Sequence, residues 1–330
     1  MPDEFIVKLE SCNQVLLTTH EQPDADGVGS ILGLAWRLRG LGKKFRLVVT
    51  PRLPGFLNFL DPEKWIEPFD ADIHKNIAAW PDCWVLADAS ELSRLGPLKD
   101  SFLASKAAKL CIDHHLPGDD AGAFDIVILN SGASSTCELV TQTLGISMEM
   151  PLPMAQALYA GLVDDTGSFR FPCTSARAHK IAAALLERGV KPDAVHRELY
   201  NQATPAKMRI AGLAFERMQL HCNERLAVMT VSLADMESVG AIHEDLEGLV
   251  NKPMELRAVE VSAIIYEKLN SGVKVSMRSK SRVNVNAVCR SFGGGGHRLA
   301  SGATLSGDIA SALESVVPVT IARIEQDLGL

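Results

Sequence analysis

The sequence of 330 residues contains few aromatic residues and no long hydrophobic run. Phe, Trp and Tyr together make up 5% of the chain, so its core must consist mainly of Leu, Val, Ile and Ala. No apolar run approaches the ~18 residues that span a membrane. The acidic residues 1–4 also lack the basic start of a signal peptide. These absences predict a cytoplasmic protein, and the length predicts about two domains.

Paired cysteines and several catalytic motifs are also missing. The seven cysteines are an odd number and form no C-x-x-C pair, which predicts mostly buried thiols in a reducing compartment. There is no G-x-S-x-G segment, which argues against acyl transfer. The glycine run at 293–296 is not followed by the Gly-Lys-Ser/Thr of a P-loop.

The chain carries no overall basic charge, since its formal net charge is −7. This excludes a protein that coats long nucleic acid through a wholly basic surface. Residues 252–298, however, contain nine Lys and Arg residues against three Glu, a local charge of +6. An acidic part joined to a basic segment suits a metal site with an anion-binding region. Two ordinary solvated surfaces are the alternative interpretation.

The first half of the chain alternates short β-rich runs with helical patterns. This alternation predicts an α/β fold with a mainly parallel sheet and helices on both faces. The predicted strands lie at 15–19, 45–49, 84–87, 110–112 and 126–129. The predicted helices lie at 28–41, 135–144, 154–163 and 176–188.

The second half changes character after residue 190. Residues 193–200 and 205–221 read as helices of a linker, and a smaller α/β domain follows. Its predicted elements are strands at 226–232, 259–267 and 273–278 and a helix at 309–328, in which Pro318 predicts a kink or break. We therefore expect a first domain at 1–190, a helical linker at 191–222 and a C-terminal domain at 223–330.

In the first half of the chain, acidic residues and one histidine follow two of the predicted strands, 15–19 and 84–87. His20, Asp24 and Asp26 lie between a strand and a helix, and Asp88 ends the strand 84–87. The carboxyl ends of parallel strands are where α/β proteins gather their sites, and these residue types bind divalent metals. The alternatives are a helix N-cap for Asp26 and a turn-forming role for Asp88.

Two further polar clusters follow in the chain. Adjacent side chains diverge at a strand end, so one of His114 and His115 is expected to bind metal and the other to contact substrate or donate a proton. Asp165 follows the helix 154–163, beside a glycine turn. Exposed loop histidines are the alternative at 114–115. Five other histidines lack partner motifs and are interpreted as surface or structural residues, namely His74, His179, His196, His221 and His243.

Together these clusters contain more ligands than one ion needs. Two imidazoles and four carboxylates fit a pair of divalent ions that are ~3.5–4 Å apart and share one carboxylate. Such a pair supplies a hydroxide nucleophile and neutralises charge during displacement at phosphorus. The candidate ligands are His20, Asp24, Asp26, Asp88, His114 and Asp165.

The basic segment contains a run of four glycines, 293–296, followed by His297 and Arg298. Glycines before a helix-like stretch let backbone N–H groups approach an anion closely. A flexible hinge is the alternative. Upstream, Arg278 lies in the cation-rich stretch 274–282, which suits a phosphate grip.

These motifs, in this order, resemble those of the DHH phosphoesterase superfamily. His20-x-x-x-Asp24-x-Asp26-Gly, Asp88, Asp113-His114-His115 and Asp165-Thr-Gly-x-Phe resemble its four catalytic motifs. The Gly-Gly-Gly-Gly-His stretch, with Arg278 upstream, resembles the associated C-terminal domain. The length and two-domain plan are most similar to the NrnA-type branch, which contains nanoRNases and pAp phosphatases.

The resemblance implies a role for each matched residue. His20 and Asp24 would hold the first of two Mn²⁺ (or Mg²⁺) ions, and Asp88 would bridge the pair. The second ion would be held by Asp26, His114 and Asp165. His115 would contact the scissile phosphate or protonate the leaving group. The implied substrate-binding residues are Arg278, Gly294, Gly295, Gly296 and His297.

The activity implied by the resemblance is hydrolysis of short oligoribonucleotides, dinucleotides such as pApA, and 3′-phosphoadenosine 5′-phosphate (pAp). The expected partners are these small substrates, not long duplex nucleic acid or a membrane, and the sequence is compatible with a homodimer. The alternatives are a cyclic-di-AMP phosphodiesterase and a nucleotide-binding regulator that has lost catalysis.

Overall fold

The computed structural model describes residues 2–118, 120–147, 149–269 and 272–330. It consists of two compact units, residues 1–202 and residues 203–330. Among the described residues, no helix has both the length and the apolar character needed to cross a membrane. All seven cysteines are unpaired, and five of them are buried.

The helices and strands occupy the following positions. The strands are β1 (Gln14–Thr18), β2 (Lys44–Val49), β3 (Ile66–Pro68), β4 (Cys83–Ala87), β5 (Ala108–Asp113), β6 (Ile126–Leu129), β7 (Gln219–His221), β8 (Leu226–Val231), β9 (Val261–Glu267), β10 (Val273–Ser279), β11 (Gly295–His297) and β12 (Ala300–Leu305). The helices are α1 (Pro2–Ser11), α2 (Ala25–Gly40), α3 (Lys99–Ala104), α4 (Thr136–Leu144), α5 (Leu152–Asp165), α6 (Ala176–Glu187), α7 (Pro192–Tyr200), α8 (Pro205–Glu216), α9 (Leu233–Val239), α10 (Val285–Ser291) and α11 (Ile309–Leu328).

The first unit is built on a six-stranded sheet in the order β3-β2-β1-β4-β5-β6, in which every pair of neighbours is parallel. Its central strands are apolar on both faces. Leu17 and Val85 pack into the core cluster formed with α2, α4 and α5, whereas Leu16 and Trp84 pack on the other face with Phe102 of α3. The predicted parallel sheet with helices on both faces is confirmed.

This strand order places the ends of β1, β4 and β5 side by side at the carboxyl edge of the sheet. Helix α2 begins at that edge, at Ala25, three residues before the predicted start. Asp24 is its N-cap and accepts the backbone N–H groups of Asp26 and Gly27. The capping residue is therefore Asp24, and the alternative that Asp26 is the N-cap is wrong.

The second unit contains a mixed sheet in the order β11-β12-β10-β9-β8-β7, with one parallel pair, β8 and β9. Helices α10 and α11 cover one face, where Val275 and Met277 lie in the core with Val316 and Ile324. The predicted smaller α/β domain is confirmed as an α/β unit.

Three local predictions in this part of the chain are wrong. The stretch after the glycine run is the strand β12, paired with β10, rather than a helix. The predicted helix 205–221 ends at Glu216, because residues 219–221 pair with β8. The break predicted at Pro318 is absent, because α11 is one helix whose buried residues Val316, Thr320 and Ile324 lie on both sides of the proline; a kink there stays a prediction.

The predicted linker is divided between the two units. Val195 and Leu199 of α7 pack into the core of the first unit. Ile210 and Ala214 of α8 pack into a core cluster of the second unit, with β8 and β9. The chain passes from one unit to the next between residues 202 and 203.

Candidate metal centre

Polar residues follow three neighbouring strands of the first sheet. His20 lies two residues after β1, Asp88 directly after β4 and His114 directly after β5. The last four residues of each strand are buried, so the chain can place a polar group in an open site only where the strand leaves the sheet. Of the three remaining candidates, Asp24 caps α2, Asp26 lies in its first turn, and Asp165 ends α5, which packs against α2.

The first group of candidate ligands is formed by His20, Asp24 and Asp88. His20 Nε2 lies 3.4 Å from Asp24 Oδ2 and 3.3 Å from Asp88 Oδ2. The other ring nitrogen, Nδ1, lies 2.9 Å from the backbone carbonyl oxygen of Glu21. Because a carbonyl only accepts, Nδ1 donates its proton there, so Nε2 is the ring nitrogen that faces the two carboxylates. This is the orientation of a metal-binding histidine.

The second group is formed by Asp26, His114 and Asp165. His114 Nε2 lies 2.9 Å from Asp165 Oδ2 and 3.9 Å from Asp26 Oδ2. One ligand atom from each of the three residues falls within 4.8 Å of the others. Burial lowers the pKa of His114, but the neighbouring carboxylates, Asp165 first, outweigh this effect and raise it to about 9.

Asp88 contributes to both groups through different oxygen atoms. Its Oδ2 faces His20, and its Oδ1 lies 3.7 Å from His114 Nε2. The Thr136 hydroxyl donates to Oδ1 at 2.8 Å. The backbone at Asp88 has a φ of +63°, which turns the chain sharply at the end of β4. Asp88 therefore both turns the chain after β4 and lies between the two ligand groups.

The N-terminus of helix α4 holds the fully buried carboxylate of Asp26. The backbone N–H groups of Thr136 and Cys137 donate to its two oxygens at 2.6 and 2.8 Å. A helix N-terminus favours negative charge through these free donors and its dipole. Burial and the nearby carboxylates Asp88 and Asp165 nevertheless raise the pKa of Asp26. A buried carboxylate that lies beside two others needs a positive charge nearby to remain ionised.

The residues present fit divalent cations. Among the described residues, the buried Nε2 atoms of His20 and His114 make no well-formed hydrogen bond and instead face carboxylate oxygens at 2.9–3.9 Å. Four carboxylates converge on these atoms, and an uncompensated group of buried charges is costly. Imidazole nitrogen and carboxylate oxygen together suit Mn²⁺, Zn²⁺ and Mg²⁺ rather than soft ions. A cation in each group would satisfy both the nitrogen lone pairs and the carboxylates.

His115 has a different environment from His114. Asp113 Oδ1 accepts the backbone N–H of His115 at 3.0 Å and lies 2.7 Å from its Nδ1. The side chain of His115 is 42% exposed, and Nδ1 is 3.7 Å from Asp88 Oδ1. Asp88, His114 and His115 also form a possible ligand group by distance. Because Nδ1 is already paired with Asp113, the geometry favours a role for His115 at the open side of the site.

Arg94 supplies a cation at this open side. Its Nη1 lies 3.4 Å from Nε2 and 3.5 Å from Nδ1 of His115, so the guanidinium lies against the ring. The same atom donates to the backbone carbonyl of Asp88 at 3.3 Å. A guanidinium in this position can pair with an anionic phosphate oxygen.

The residue Asp165, rather than Asp164, belongs to the second group, as expected from its position before Thr-Gly. Asp164 instead accepts the Tyr200 hydroxyl at 2.9 Å. Burial raises the pKa of Asp164 to about 6, against the opposing effect of this hydrogen bond. The two adjacent carboxylates therefore have separate environments.

Sequence reasoning overlooked three residues of this centre. Asp113 lies within the predicted motif. Its position directly before two histidines could have indicated that it orients one of them. Thr136 is the first residue of α4, after the N-cap Ser135. A capping serine indicates where a helix begins, but it does not indicate that Thr136 contacts Asp88. Arg94 lies in a short 3-10 helix, Leu92–Leu98, outside every motif, so no signal in the sequence indicates it.

The predicted substrate-binding residues lie in the second unit. Arg278 is on β10, half-buried, and its Nη1 donates to the carbonyl of Met277; burial lowers its pKa. The glycine run forms part of the sheet rather than a free hinge. A Cβ at Gly294 would lie 2.2 Å from the carbonyl oxygen of Gly302, and Gly296 has a φ of +136°. His297 ends β11 and is exposed.

A polar face of this sheet extends the predicted set. Lys274, Ser276 and Arg278 alternate with buried apolar residues along β10, so all three share one face. Gly302 of β12 pairs with Ser276, and a Cβ at this glycine would lie 3.0 Å from the carbonyl oxygen of Val275 and 3.6 Å from Lys274 Nζ. Lys274 and Ser276 are therefore further candidates for contact with an anion, although sequence reasoning treated them only as part of a basic stretch.

Comparison with known proteins agrees with this division of the chain. Residues 14–162 match the family model described as DHH family, N-terminal domain, and residues 223–326 match the DHHA1 domain. The chain is 31% identical to the bifunctional oligoribonuclease and PAP phosphatase NrnA of Thermus thermophilus, over 92% of this chain and 88% of the relative. A crystal structure of an exopolyphosphatase-related protein from Bacteroides fragilis superposes with a TM-score of 0.91 at 27% identity, covering 100% of this chain and 97% of the other.

A cyclic-di-AMP phosphodiesterase, GdpP of Geobacillus thermodenitrificans, is 25% identical over 96% of this chain but only 46% of its own length. This relative is therefore more distant and about twice as long. The fold and the family matches define a hydrolase that acts on phosphate ester bonds. The chain belongs to the DHH family and also carries its associated DHHA1 domain.

Proposed function

We propose that this protein uses two divalent cations to hydrolyse phosphate esters of short oligoribonucleotides, of dinucleotides such as pApA, and of pAp. The observation that carries the proposal is the shared position of Asp88. One of its oxygens faces His20 and the other faces His114, and the buried Nε2 of each imidazole is directed at carboxylate oxygens of its own group. Two ligand groups that share one carboxylate match a two-metal phosphoesterase.

Six residues would hold the two ions. His20 and Asp24 would bind one, Asp26, His114 and Asp165 the other, and Asp88 both. When bound, such ions activate water and neutralise charge at phosphorus. Manganese is the preferred candidate, with magnesium as the second, because the mixed nitrogen and oxygen donors suit manganese better.

The residues on the open side have separate roles in this proposal. His115 contacts the scissile phosphate or gives a proton to the leaving oxygen, and Asp113 orients the imidazole through its Nδ1. Arg94 pairs with a non-bridging phosphate oxygen and limits the accumulation of negative charge. General acid catalysis of this kind contributes ~100- to 10,000-fold to a rate.

The substrate class rests on the relatives and on the charge of the second unit. The Thermus thermophilus relative is named for oligoribonuclease and PAP phosphatase activity. In this chain Arg278, His297 and the backbone at 294–296 would hold the rest of the nucleotide. A chain with a net charge of −7 and one basic segment favours short substrates over long duplexes. We further propose that the protein acts in the cytoplasm, without a membrane partner, and that it can form a homodimer.

A substrate panel tests this proposal. The protein is treated with a chelator, dialysed, and assayed with Mn²⁺ or Mg²⁺ against pAp, pApA, an RNA pentamer, a long duplex and cyclic-di-AMP. We expect no turnover without metal, with Mn²⁺ restoring hydrolysis of pAp and the short oligomers. Full activity in the chelated protein, or equal activity on the long duplex, would contradict the proposal.

The same panel distinguishes the alternatives. Preferential cleavage of cyclic-di-AMP would place the protein with the more distant phosphodiesterase relative. Tight binding of pAp without turnover at any metal would indicate a regulator that has lost catalysis. The first outcome is disfavoured by the lower identity and the partial coverage of that relative.

A further inference from the structure

A cavity of about 470 Å³ lies in the first unit, and one of its lining residues, Asp164, interacts electrostatically with the candidate ligands Asp24 and Asp165. It begins at Asp164, the neighbour of Asp165, and continues to the end of helix α7. Its volume is in the range of small-molecule sites. The side chains that matter for its chemistry are Asp164, Ser168, Arg170, Phe171, His196 and Tyr200.

Two aromatic rings on the walls of the cavity are unusually exposed. Phe171 is 50% exposed and Tyr200 is 40% exposed. His196 lies one helical turn before Tyr200 on α7, and the centroids of their rings are 4.9 Å apart. An exposed ring next to a polar site offers a flat apolar face at low entropic cost, which suits a stacked aromatic ligand.

The backbone that forms one wall is held in an uncommon conformation. Gly167, Ser168 and Phe169 have φ values of +54°, +58° and +64°. The Thr166 hydroxyl accepts the N–H of Phe169 at 3.1 Å, and the carbonyl of Val163 accepts the N–H of Ser168 at 2.7 Å. Consecutive left-handed residues persist only where their surroundings impose them, and they cluster at ligand sites. Here the turn carries Arg170 and Phe171 to the cavity.

The polar groups of the cavity are arranged to leave donors free. The Tyr200 hydroxyl is committed to Asp164, which fixes the ring. Arg170 Nε donates to the carbonyl of Gly167 at 2.6 Å, and its terminal amino groups have no hydrogen bond among the described residues. Fixed rings with a free guanidinium can stack on a heterocycle and donate to its edge or to a sugar oxygen.

We propose that this cavity binds the base and ribose of a nucleoside attached to the scissile phosphate. The inference rests on the proposed function and deepens it, since it places one nucleoside subsite in the first unit in addition to the predicted contacts of the second. Phe171 and Tyr200 supply the stacking surfaces, and Arg170 supplies donors. Base specificity is weak, because every base has a π-face.

The test compares Phe171→Leu and Tyr200→Leu with the matched control Phe56→Leu, an exposed aromatic elsewhere in the same unit (44%). Substrates are pApA and two analogues, each lacking one base. We expect each cavity variant to lower kcat/KM for pApA by about 5- to 150-fold, the equivalent of ~1–3 kcal/mol of stacking. One of the two analogues lacks the base that the cavity binds. On that analogue, each cavity variant should have the same kcat/KM as the unmutated protein. Tyr200→Phe, which keeps the ring, should retain most activity.

Equal losses on pApA and both abasic analogues would overturn the inference, because the residues would then act through Asp165 rather than on a base. Unchanged kcat/KM for pApA in both cavity variants would also overturn it. Binding of a non-hydrolysable pApA analogue separates this from the proposed function. Binding that weakens in Phe171→Leu, in a protein that hydrolyses no dinucleotide, would support the cavity and contradict the function.

Discussion

The hydroxyl of Thr136 provides a sharp test of the shared carboxylate. It donates to Asp88 Oδ1 at 2.8 Å, and the residue is completely buried. Thr136→Val keeps the shape and the β-branch, and it also keeps the backbone N–H that donates to Asp26. Only one hydrogen bond to a buried charge is removed, so the fold should be retained.

The expected magnitude follows from the kind of bond. A hydrogen bond to a charged group contributes ~1.5–3 kcal/mol, which corresponds to roughly 10- to 150-fold in an equilibrium constant. Partners of metal ligands have effects in the same range, ~10- to 100-fold on metal affinity or activity. We therefore expect the Mn²⁺ concentration for half-maximal activity to rise ~10- to 100-fold in Thr136→Val.

The assay is a titration of Mn²⁺ into chelated protein, with hydrolysis of pAp as the readout. Thr136→Ser is the matched control, since it retains the hydroxyl, and it should stay within ~3-fold of the wild type. Thermal unfolding of all three proteins checks that the fold is intact. An unchanged activation midpoint in Thr136→Val would refute a metal-bridging role for Asp88, and an equal effect in Thr136→Ser would refute the role of the hydroxyl.

Three further predictions follow from the same geometry. Asp88→Ala should lower kcat for pAp by more than ~100-fold at saturating Mn²⁺; retention of most turnover would contradict the two-metal proposal. Asp113→Asn should reduce kcat ~10- to 100-fold with little change in the Mn²⁺ midpoint, because it disturbs His115 and not a ligand. Gly29→Ala, whose Cβ would lie 2.4 Å from a backbone oxygen of α5, should cost ~1–3 kcal/mol and lower the Tm by several degrees. Gly40→Ala, in open space on the same helix, is its control and should not lower the Tm.

Most elements of the first unit could be predicted from the sequence, because their physical causes are local. The apolar runs of β1, β4 and β5 indicate buried strands, and the polar residue that ends each run indicates the edge of the sheet. The starts of helices α4 and α6 lie within one residue of prediction, since Ser135 and Ser175 cap these helices. Errors occur where pairing through space overrides local pattern, as in β12 and in residues 219–221.

The sequence by itself determined which residues are candidates for the chemistry. The candidates are recognisable because each follows an apolar strand or lies at the start or the end of a helix, namely His20, Asp24, Asp26, Asp88, His114 and Asp165. Only the tertiary structure decided how these residues are divided between the two ligand groups. Strand order brings the ends of β1, β4 and β5 together and turns the two oxygens of Asp88 to opposite groups. Thr136, Arg94 and the cavity beside Tyr200 were likewise invisible, because a partner that is distant along the chain leaves no periodic signal in it.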